Sequence, residues 1–238
     1  ALEKDYFCKR ADGPYMKGKV WPGECNFPDY TNPSVREWWA GLFKELVSEI
    51  GVKGVWNDMN EPAVMEVPNK TFPMDVRHFY DGNPCSHRKA HNIYGTQMAR
   101  ATYHGVKRFT YPKRPFVITR SAYSGAQRYT SSWTGDNVAT WEHLWIANIQ
   151  VQRMSISGMG FTGSDIGGFA EQPTGELYAR WIQLGVFHPF CRTHSSGDHG
   201  NQEPWAFDEE VITITRKFVS LRYQLLPYLY TMFWQYIE

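Results

Sequence analysis

The chain has 238 residues, 42% of them hydrophobic, which is enough for a sizeable folded core and excludes a disordered segment. Its 25 Lys and Arg residues balance 24 Asp and Glu, so the net charge of +1 gives no field that attracts nucleic acid or an anionic membrane. No run of about twenty apolar residues could span a bilayer, and the 16% aromatic content suits sugar faces as well as a core.

The first clear element is an amphipathic helix. Asn32 and Pro33 are typical of an N-cap and a first helical position, and apolar residues then recur at helical spacing up to residue 50. The apolar run 52–58 that follows ends in polar residues, which predicts a buried strand with a functional carboxyl end. Segments 1–31 and 62–91 are rich in Pro, Gly and Asn, which predicts long loops over a site.

Strand and helix patterns alternate through the rest of the chain. Such alternation calls for a parallel sheet with crossover helices, either doubly wound or closed into a barrel. The further strands are predicted at residues 114–120, 131–136, 158–165 and 186–192, and the helices at about 92–108, 140–156, 175–185 and from 209 onward, with a kink near Pro227.

The residues at the strand ends decide between these two folds. Each predicted strand ends in Asp, Arg, His or Trp, and barrel enzymes hold their active sites at the carboxyl ends of the strands. No Gly-x-Gly-x-x-Gly lies at a predicted strand-to-helix turn, and no Walker sequence occurs, so a nucleotide-binding sheet has no support. The sequence therefore predicts an α/β fold, a (β/α)8 TIM barrel. Because five strands cannot close a barrel, residues 1–238 are expected to form an incomplete catalytic domain.

Three aspartates stand at predicted strand ends, Asp58, Asp136 and Asp165. Cleavage of a glycosidic bond with retention needs two carboxyl groups about 5 to 5.5 Å apart, one attacking the anomeric carbon and one protonating the departing oxygen. A lone Asp after a strand is more often a helix cap or a turn residue, so the flanking residues have to decide.

Those flanking residues resemble glycoside hydrolase family 31, and the resemblance extends from about Tyr6 to the C-terminus. Trp56-Asn-Asp-Met-Asn-Glu-Pro62 resembles the nucleophile signature of the family's α-glucosidases, and Ser131-Ser-Trp-Thr-Gly-Asp-Asn137 resembles the segment with the acid/base. The family's other landmarks occur in the same order: Val20-Trp-Pro-Gly23, Phe27-Pro-Asp-Tyr30, Thr119-Arg-Ser121, Gly163-Ser-Asp-Ile-Gly-Gly-Phe169 and Phe187-His-Pro-Phe-Cys-Arg-Thr-His194.

The resemblance implies a retaining α-glycosidase that hydrolyses terminal non-reducing α-glucosyl residues without cofactor or metal. It implies Asp58 as the nucleophile and Asp136 as the general acid/base. A cation such as Arg120 would lower the pKa of Asp58 and so favour its ionised form. An apolar wall such as Trp133 would raise the pKa of Asp136 and so favour its protonated form. It implies that Arg120, Asp165 and His194 hydrogen-bond the hydroxyls of the bound sugar. It also implies that five side chains form the walls of the pocket: Trp21, Trp56, Met59, Trp133 and Phe169.

Several of these residues have other interpretations. Arg120 could be a structural ion-pair partner, His194 a satisfied buried histidine, and the tryptophans core residues. Asn60-Glu61-Pro62 also resembles the acid/base tripeptide of other barrel glycosidases, whose seventh strand carries a glutamate nucleophile where this chain has Asp165.

Two groups of histidines are candidates for metal sites. His87 and His91 are four residues apart, which suits one helical face, and His194 lies near Asp198 and His199. Neither group is a complete ligand set, so no metal is predicted.

The same segments leave several activities open. An α-transglucosylase, an α-xylosidase, an α-galactosidase or a catalytically silent sugar-binding subunit would share this pattern. The full Trp56–Pro62 form favours the glucosidase branch, and the presence of both aspartates argues against a silent subunit.

The expected partners are an oligosaccharide or α-glucan substrate and the remaining part of the same enzyme, and neither nucleic acid nor a membrane is expected. The resemblance implies that barrel strands one to three and an N-terminal β-sandwich are absent from this sequence. A partial barrel leaves a strand edge unpaired, so the 238-residue chain alone is expected to aggregate or to be inactive. A soluble, monomeric and active preparation of the chain alone would refute this.

Overall fold

The computed structural model describes all 238 residues, which divide into two units, Ala1–Ser131 and Ser132–Glu238. Buried apolar side chains cluster within each unit, and each unit contains paired parallel strands. None of the helices combines the length and the apolar character needed to cross a membrane.

The first two strands of the first unit form a β-hairpin in a segment that was predicted as a loop. Strand β1 (Lys17–Val20) pairs antiparallel with β2 (Gly23–Asn26), and Trp21 lies in the turn between them. The prediction missed this hairpin because most of its side chains are partly or fully exposed, so its sequence lacks the alternation of apolar residues that indicates a strand.

Helix α1 (Pro33–Gly41) begins as predicted, with the Asn32 Oδ1 accepting a hydrogen bond of 2.9 Å from the Ser34 backbone N–H. The prediction of one helix up to residue 50 was wrong, because the chain continues as a π-helical turn, Glu45–Glu49. In this arrangement Phe43 and Val47 both join one buried cluster with Val106 and Val117.

Two parallel strands form the centre of the first unit. Strand β3 (Gly54–Asn57) pairs with β6 (Phe116–Thr119), with Asn57 opposite Thr119. Both lie within their predicted segments. The connection between them contains an antiparallel hairpin of β4 (Arg77–His78) and β5 (Cys85–Ser86), where a loop was predicted, and helix α2 (His87–Thr110), which begins five residues earlier than predicted.

Helix α2 packs its backbone directly against the carboxyl ends of these strands at Gly95. A Cβ atom at this position would lie 2.7 Å from the Asn60 carbonyl oxygen and 2.8 Å from that of Ser121. Because backbone atoms cannot move aside as a flexible side chain can, only glycine permits this approach.

Gly95→Ala is therefore expected to destabilise the full-length protein by about 2 kcal/mol, since the added methyl overpacks a backbone contact. Gly41 in helix α1 is a matched control, because a Cβ there meets no atom within 4 Å. Gly41→Ala is expected to be neutral or to stabilise by about 0.5 kcal/mol. Denaturant unfolding measures both variants, and equal effects would contradict the packing argument.

Each of the three helices of the second unit begins at a residue whose side chain caps it. Thr140 caps α3 (Trp141–Ile156), Thr174 caps α4 (Gly175–Gly185), and Asp208 caps α5 (Glu209–Ile237), each side-chain oxygen accepting from a backbone N–H. Helix α5 continues through Pro227 to Ile237. A buried cluster joins these helices, with Ala147, Ile166, Leu177, Tyr178, Trp181, Ile182, Val186 and Val211.

The strands of the second unit are short. Strand β7 (Ser131–Trp133) pairs in parallel with β8 (Thr162–Gly163), and β9 (Asp165–Ile166) pairs in parallel with β10 (Arg192–Thr193). The predicted strand 186–192 was wrong except at its last residue. The Arg222 guanidinium of α5 donates to the carbonyls of Val186, His188 and Pro189 at 2.7 to 2.8 Å, so a side chain takes the place of a strand partner.

The His188 side chain is buried near Arg222, and this setting disfavours its charged form. Burial and the positive Arg222 lower the pKa of His188 from 6.5 to about 4. Between these two pH values the unfolded chain binds a proton that the folded chain does not, so stability falls as the pH drops below 6.5.

We expect His188 to contribute a loss of about 1.4 kcal/mol per pH unit below pH 6.5, levelling off near pH 4. His188→Phe removes this proton uptake and is expected to make the plot of unfolding free energy against pH less steep by that amount. The control is His199→Gln, a change at an exposed histidine, which is expected to leave the slope of this plot unchanged. An unchanged slope in His188→Phe would contradict the assignment.

Candidate active site

The first cluster of predicted site residues lies at the carboxyl ends of β3 and β6. Asp58 follows Asn57, and Arg120 follows Thr119, so the parallel register sets the two side chains on neighbouring strands. The Arg120 Nη1 lies 3.5 Å from the Asp58 Oδ1, and both side chains are about one-third exposed. A partly exposed pair of this kind adds little to stability, but it keeps a cation beside the carboxylate.

Arg120 also contacts two other residues of the segment after β3. Its Nε lies 3.1 Å from the Glu61 Oε1, and its Nη1 lies 3.5 Å from the Met59 Sδ. The sequence did not predict the contact with Glu61. Met59 has φ +57°, a left-handed conformation that costs a non-glycine residue roughly 1 kcal/mol or more and that turns the chain directly after Asp58.

Asn60 fixes this segment to the neighbouring strand. Its Nδ2 donates to the Thr119 Oγ1 at 2.8 Å, and its Oδ1 accepts from the Ser121 backbone N–H at 3.0 Å. The side chain is buried. The sequence indicated Asn60 only as part of a motif, although a polar side chain between a predicted nucleophile and a proline is a signal of such a role.

The second cluster lies in the second unit, around Asp136. Trp133 ends β7 and is buried, whereas Asp136 is exposed. The carbonyl oxygen of the next residue, Asn137, accepts from the backbone N–H groups of Phe169 and Ala170 at 2.6 and 3.1 Å. The segment with Asp136 is thereby tied to the segment with Phe169.

Phe169 in turn lies beside His194. Their ring centroids are 5.2 Å apart, and the Ser196 backbone N–H donates to the Phe169 carbonyl oxygen at 2.9 Å. Two residues that the resemblance assigned to sugar binding therefore form one surface.

Asp165 is completely buried, and its Oδ1 accepts from the Arg192 Nε at 2.9 Å. The two residues lie opposite each other in the β9–β10 pair. The Arg192 guanidinium also lies 5.2 Å from the centre of the Trp133 ring. Arg192 thus links two predicted site residues, and sequence reasoning did not assign it a role. Its place at a strand end, two residues before His194, was the available signal.

The remaining predicted residues differ in exposure. Trp21 is 77% exposed in the hairpin turn, and Trp56 on β3 is 41% exposed, so neither is a core residue of this chain. Of the histidines considered for a metal, His87 and His91 are hydrogen-bonded to each other, with 2.9 Å between Nε2 and Nδ1. Asp198 and His199 are exposed.

Acidic and basic side chains at the carboxyl ends of parallel strands, with helices between the strands, are features of a TIM-barrel glycoside hydrolase. The model of the Glycosyl hydrolases family 31 TIM-barrel domain matches residues 1–232. The chain belongs to glycoside hydrolase family 31, and the predicted barrel fold is confirmed.

Similar proteins support this assignment over nearly the whole chain. Alpha-glucosidase 2 of Bacillus thermoamyloliquefaciens is 47% identical over 98% of the chain, and a probable glucan 1,3-alpha-glucosidase of Oryza sativa subsp. japonica is 43% identical over 98%. The chain spans 29% and 25% of these relatives. The crystal structure of a glucosidase II alpha subunit bound to alpha3-Glc2 matches with a TM-score of 0.93 and 40% identity, over 99% of this chain and 26% of that one.

Proposed function

We propose that the protein carrying this chain is a retaining α-glucosidase that hydrolyses terminal non-reducing α-glucosyl residues. The observation that carries the proposal is the Asp58 carboxylate beside Arg120, at the carboxyl ends of paired parallel strands in a family 31 chain. Relatives with the name α-glucosidase support glucose as the sugar. Because the chain spans less than a third of those relatives, the activity is assigned to the full-length protein.

In the first step Asp58 attacks the anomeric carbon while the bond from that carbon to the leaving oxygen breaks. The product of this step is a covalent glycosyl-aspartate. Arg120 stands beside the attacking carboxylate, and Glu61 holds the other side of the same guanidinium. We propose that Arg120 also donates a hydrogen bond to a hydroxyl of the bound sugar.

Asp136 gives its proton to the leaving oxygen in the first step and takes a proton from water in the second. That water attacks the anomeric carbon and releases Asp58. The exposure of Asp136 in this chain gives water and the leaving sugar access to its carboxyl group. The backbone bonds from Phe169 and Ala170 to Asn137 hold the adjoining segment.

The proposed sugar-binding residues fall into two groups. Arg120, Asp165 and His194 would bond hydroxyls, and Trp21, Trp56, Met59, Trp133 and Phe169 would form the pocket walls. The ring contact of Phe169 with His194 supports a shared wall. Asp165 is buried against Arg192, so we add Arg192 as the residue that orients it and lies against Trp133.

We further propose that residues 1–238 are part of one catalytic barrel domain, and that the rest of the same protein supplies the missing strands and a β-sandwich. The substrate is an oligosaccharide or an α-glucan. The relatives above include a glucan 1,3-alpha-glucosidase and a structure bound to alpha3-Glc2, so α-1,3-linked glucose is one linkage to test.

The test is hydrolysis of aryl α-glucosides, α-xylosides and α-galactosides by the full-length protein, followed by NMR of the product. We expect the glucoside to react fastest and the α-anomer of glucose to appear first, because two displacements restore the configuration. A first product in the β form would contradict retention, and a faster xyloside or galactoside would contradict the choice of sugar. Disaccharides with α-1,3, α-1,4 and α-1,6 linkages then rank the linkages.

A further inference from the structure

A chain of hydrogen-bonded imidazoles crosses the core of the first unit. The Asp29 Oδ1 lies 3.1 Å from the His78 Nδ1, the His78 Nε2 lies 2.9 Å from the His87 Nδ1, and the His87 Nε2 lies 2.9 Å from the His91 Nδ1. Asp29, His78 and His87 are buried. The proposed mechanism uses none of these residues, although buried polar groups are costly to retain.

One set of tautomers satisfies every bond of this chain. If each imidazole is neutral and carries its proton on Nδ1, each donates toward Asp29 and accepts from the next histidine. Burial, and then the neighbouring His78 and His91, lower the pKa of His87 to about 3, which keeps its ring neutral at neutral pH. A buried network whose members are all bonded makes its surroundings rigid.

Asp29 lies at the buried end of the imidazole chain and is bonded to His78. Burial raises the pKa of Asp29, but hydrogen bonds from His78, Thr31 and the Phe79 backbone outweigh burial and leave that pKa below its usual value. The Thr31 Oγ1 and the Phe79 N–H each lie 2.6 Å from a carboxylate oxygen. The imidazole chain therefore joins three segments of the unit: the segment after β2, strand β4 and the first turns of helix α2.

The same place offers atoms that could bind a metal. Cys8, Asp29 and His78 each bring a possible ligand atom, and these atoms lie within 4.8 Å of one another. However, both Asp29 oxygens already accept hydrogen bonds, and both His78 nitrogens have hydrogen-bonding neighbours. The contacts therefore favour the hydrogen-bonded chain over an ion.

Helix α2 connects the imidazole chain to the segment with Asp58. Gly95, one turn after His91, has its backbone against the Asn60 carbonyl oxygen, and its own carbonyl accepts from the Asn60 Nδ2 at 3.4 Å. A displacement of the first turns of α2 would therefore reach Asn60, two residues from Asp58. Close packing of backbone on backbone transmits such a shift, because no flexible side chain absorbs it.

We propose that Asp29, His78, His87 and His91 are positioning residues for the nucleophile. They fix the start of helix α2, and α2 fixes the segment 56–62 through the contact of Gly95 with Asn60. The inference rests on the proposed function, in which Asp58 attacks the sugar. The four side chains act through α2 and contact no reacting atom.

The test compares three variants of the full-length protein. His87→Leu removes both imidazole bonds of His87, His87→Gln keeps an amide that donates and accepts, and His104→Gln changes an exposed histidine of the same helix. We expect His87→Leu to lower kcat on the α-glucoside about tenfold with KM changed less than about twofold. His87→Gln is expected to recover most of kcat, and His104→Gln to match the wild type.

A second readout does not depend on activity. Hydrogen exchange of the peptide covering residues 56–62, followed by mass spectrometry, is expected to become faster in His87→Leu and to stay unchanged in His104→Gln. Unchanged exchange with unchanged kcat, even with a lower Tm, would overturn the proposal, as would one bound zinc ion per purified wild-type chain. If the wild type hydrolyses no α-glycoside, the proposed function fails. Hydrogen exchange of residues 56–62 then tests by itself whether the four residues position this segment.

Discussion

Asp58→Asn in the full-length protein is expected to lower kcat/KM on an aryl α-glucoside by about four orders of magnitude. The amide has nearly the shape of the carboxylate but cannot form the glycosyl ester, so the first displacement is lost. Because Asp58 is one-third exposed, its ion pair with Arg120 adds little to stability, and Tm is expected to stay close to that of the wild type. Steady-state kinetics and thermal unfolding measure the two effects.

The matched control is Asp75→Asn, which makes the same change at an exposed aspartate of the loop before β4. This variant is expected to keep wild-type kinetics. An Asp58→Asn enzyme with more than about a tenth of wild-type activity would contradict a nucleophilic role, because loss of a covalent nucleophile is rarely so mild.

Asp136→Ala is expected to have an effect that depends on the leaving group. General acid catalysis contributes about 10² to 10⁴ to a rate, so hydrolysis of a disaccharide with its poor leaving group is expected to fall by about 10³. Aryl glucosides with acidic phenols need little protonation and are expected to lose much less in the first step. Kinetics on a series of aryl glucosides gives the slope of log kcat/KM against the pKa of the phenol.

That slope is expected to be steeper in Asp136→Ala than in the wild type. Azide added to the variant is expected to speed turnover and to give the α-glucosyl azide, because this nucleophile needs no general base. Equal losses on all substrates, without any effect of azide, would contradict the acid/base role and would leave Asp136 as a binding residue.

Much of the fold was predictable where local chemistry determines it. Thr140 and Thr174 are strong N-caps before apolar residues at helical spacing, and both helices begin there. The apolar run before Asp58 likewise became a strand. By contrast, segment 186–192 has the pattern of a strand, but Arg222 donates hydrogen bonds to three of its carbonyl groups from 33 to 36 residues later in the sequence. No local pattern contains such a distant contact.

The candidate site likewise contains residues that could be predicted from the sequence and residues that could not. Asp58 and Arg120 could be predicted as neighbours because parallel strands bring their carboxyl ends to one edge. Glu61 and Arg192 were missed because they act through contacts across strands, with Arg120 and with Asp165. The imidazole chain was missed for the same reason. Its members lie 9 and 49 residues apart, and only the spacing of His87 and His91 was visible.

The most direct test of the central claim is to trap the covalent intermediate. The full-length protein is incubated with a fluorinated α-glucosyl fluoride, and the added mass is located by fragmentation of the labelled peptide. We predict one label per protein, on Asp58, because the ring fluorine slows both displacements while the fluoride leaving group keeps the first one fast, so the glycosyl-enzyme accumulates. A label on Glu61 or on any other residue would contradict the mechanism, and labelling only by a xylosyl or galactosyl analogue would contradict glucose as the sugar.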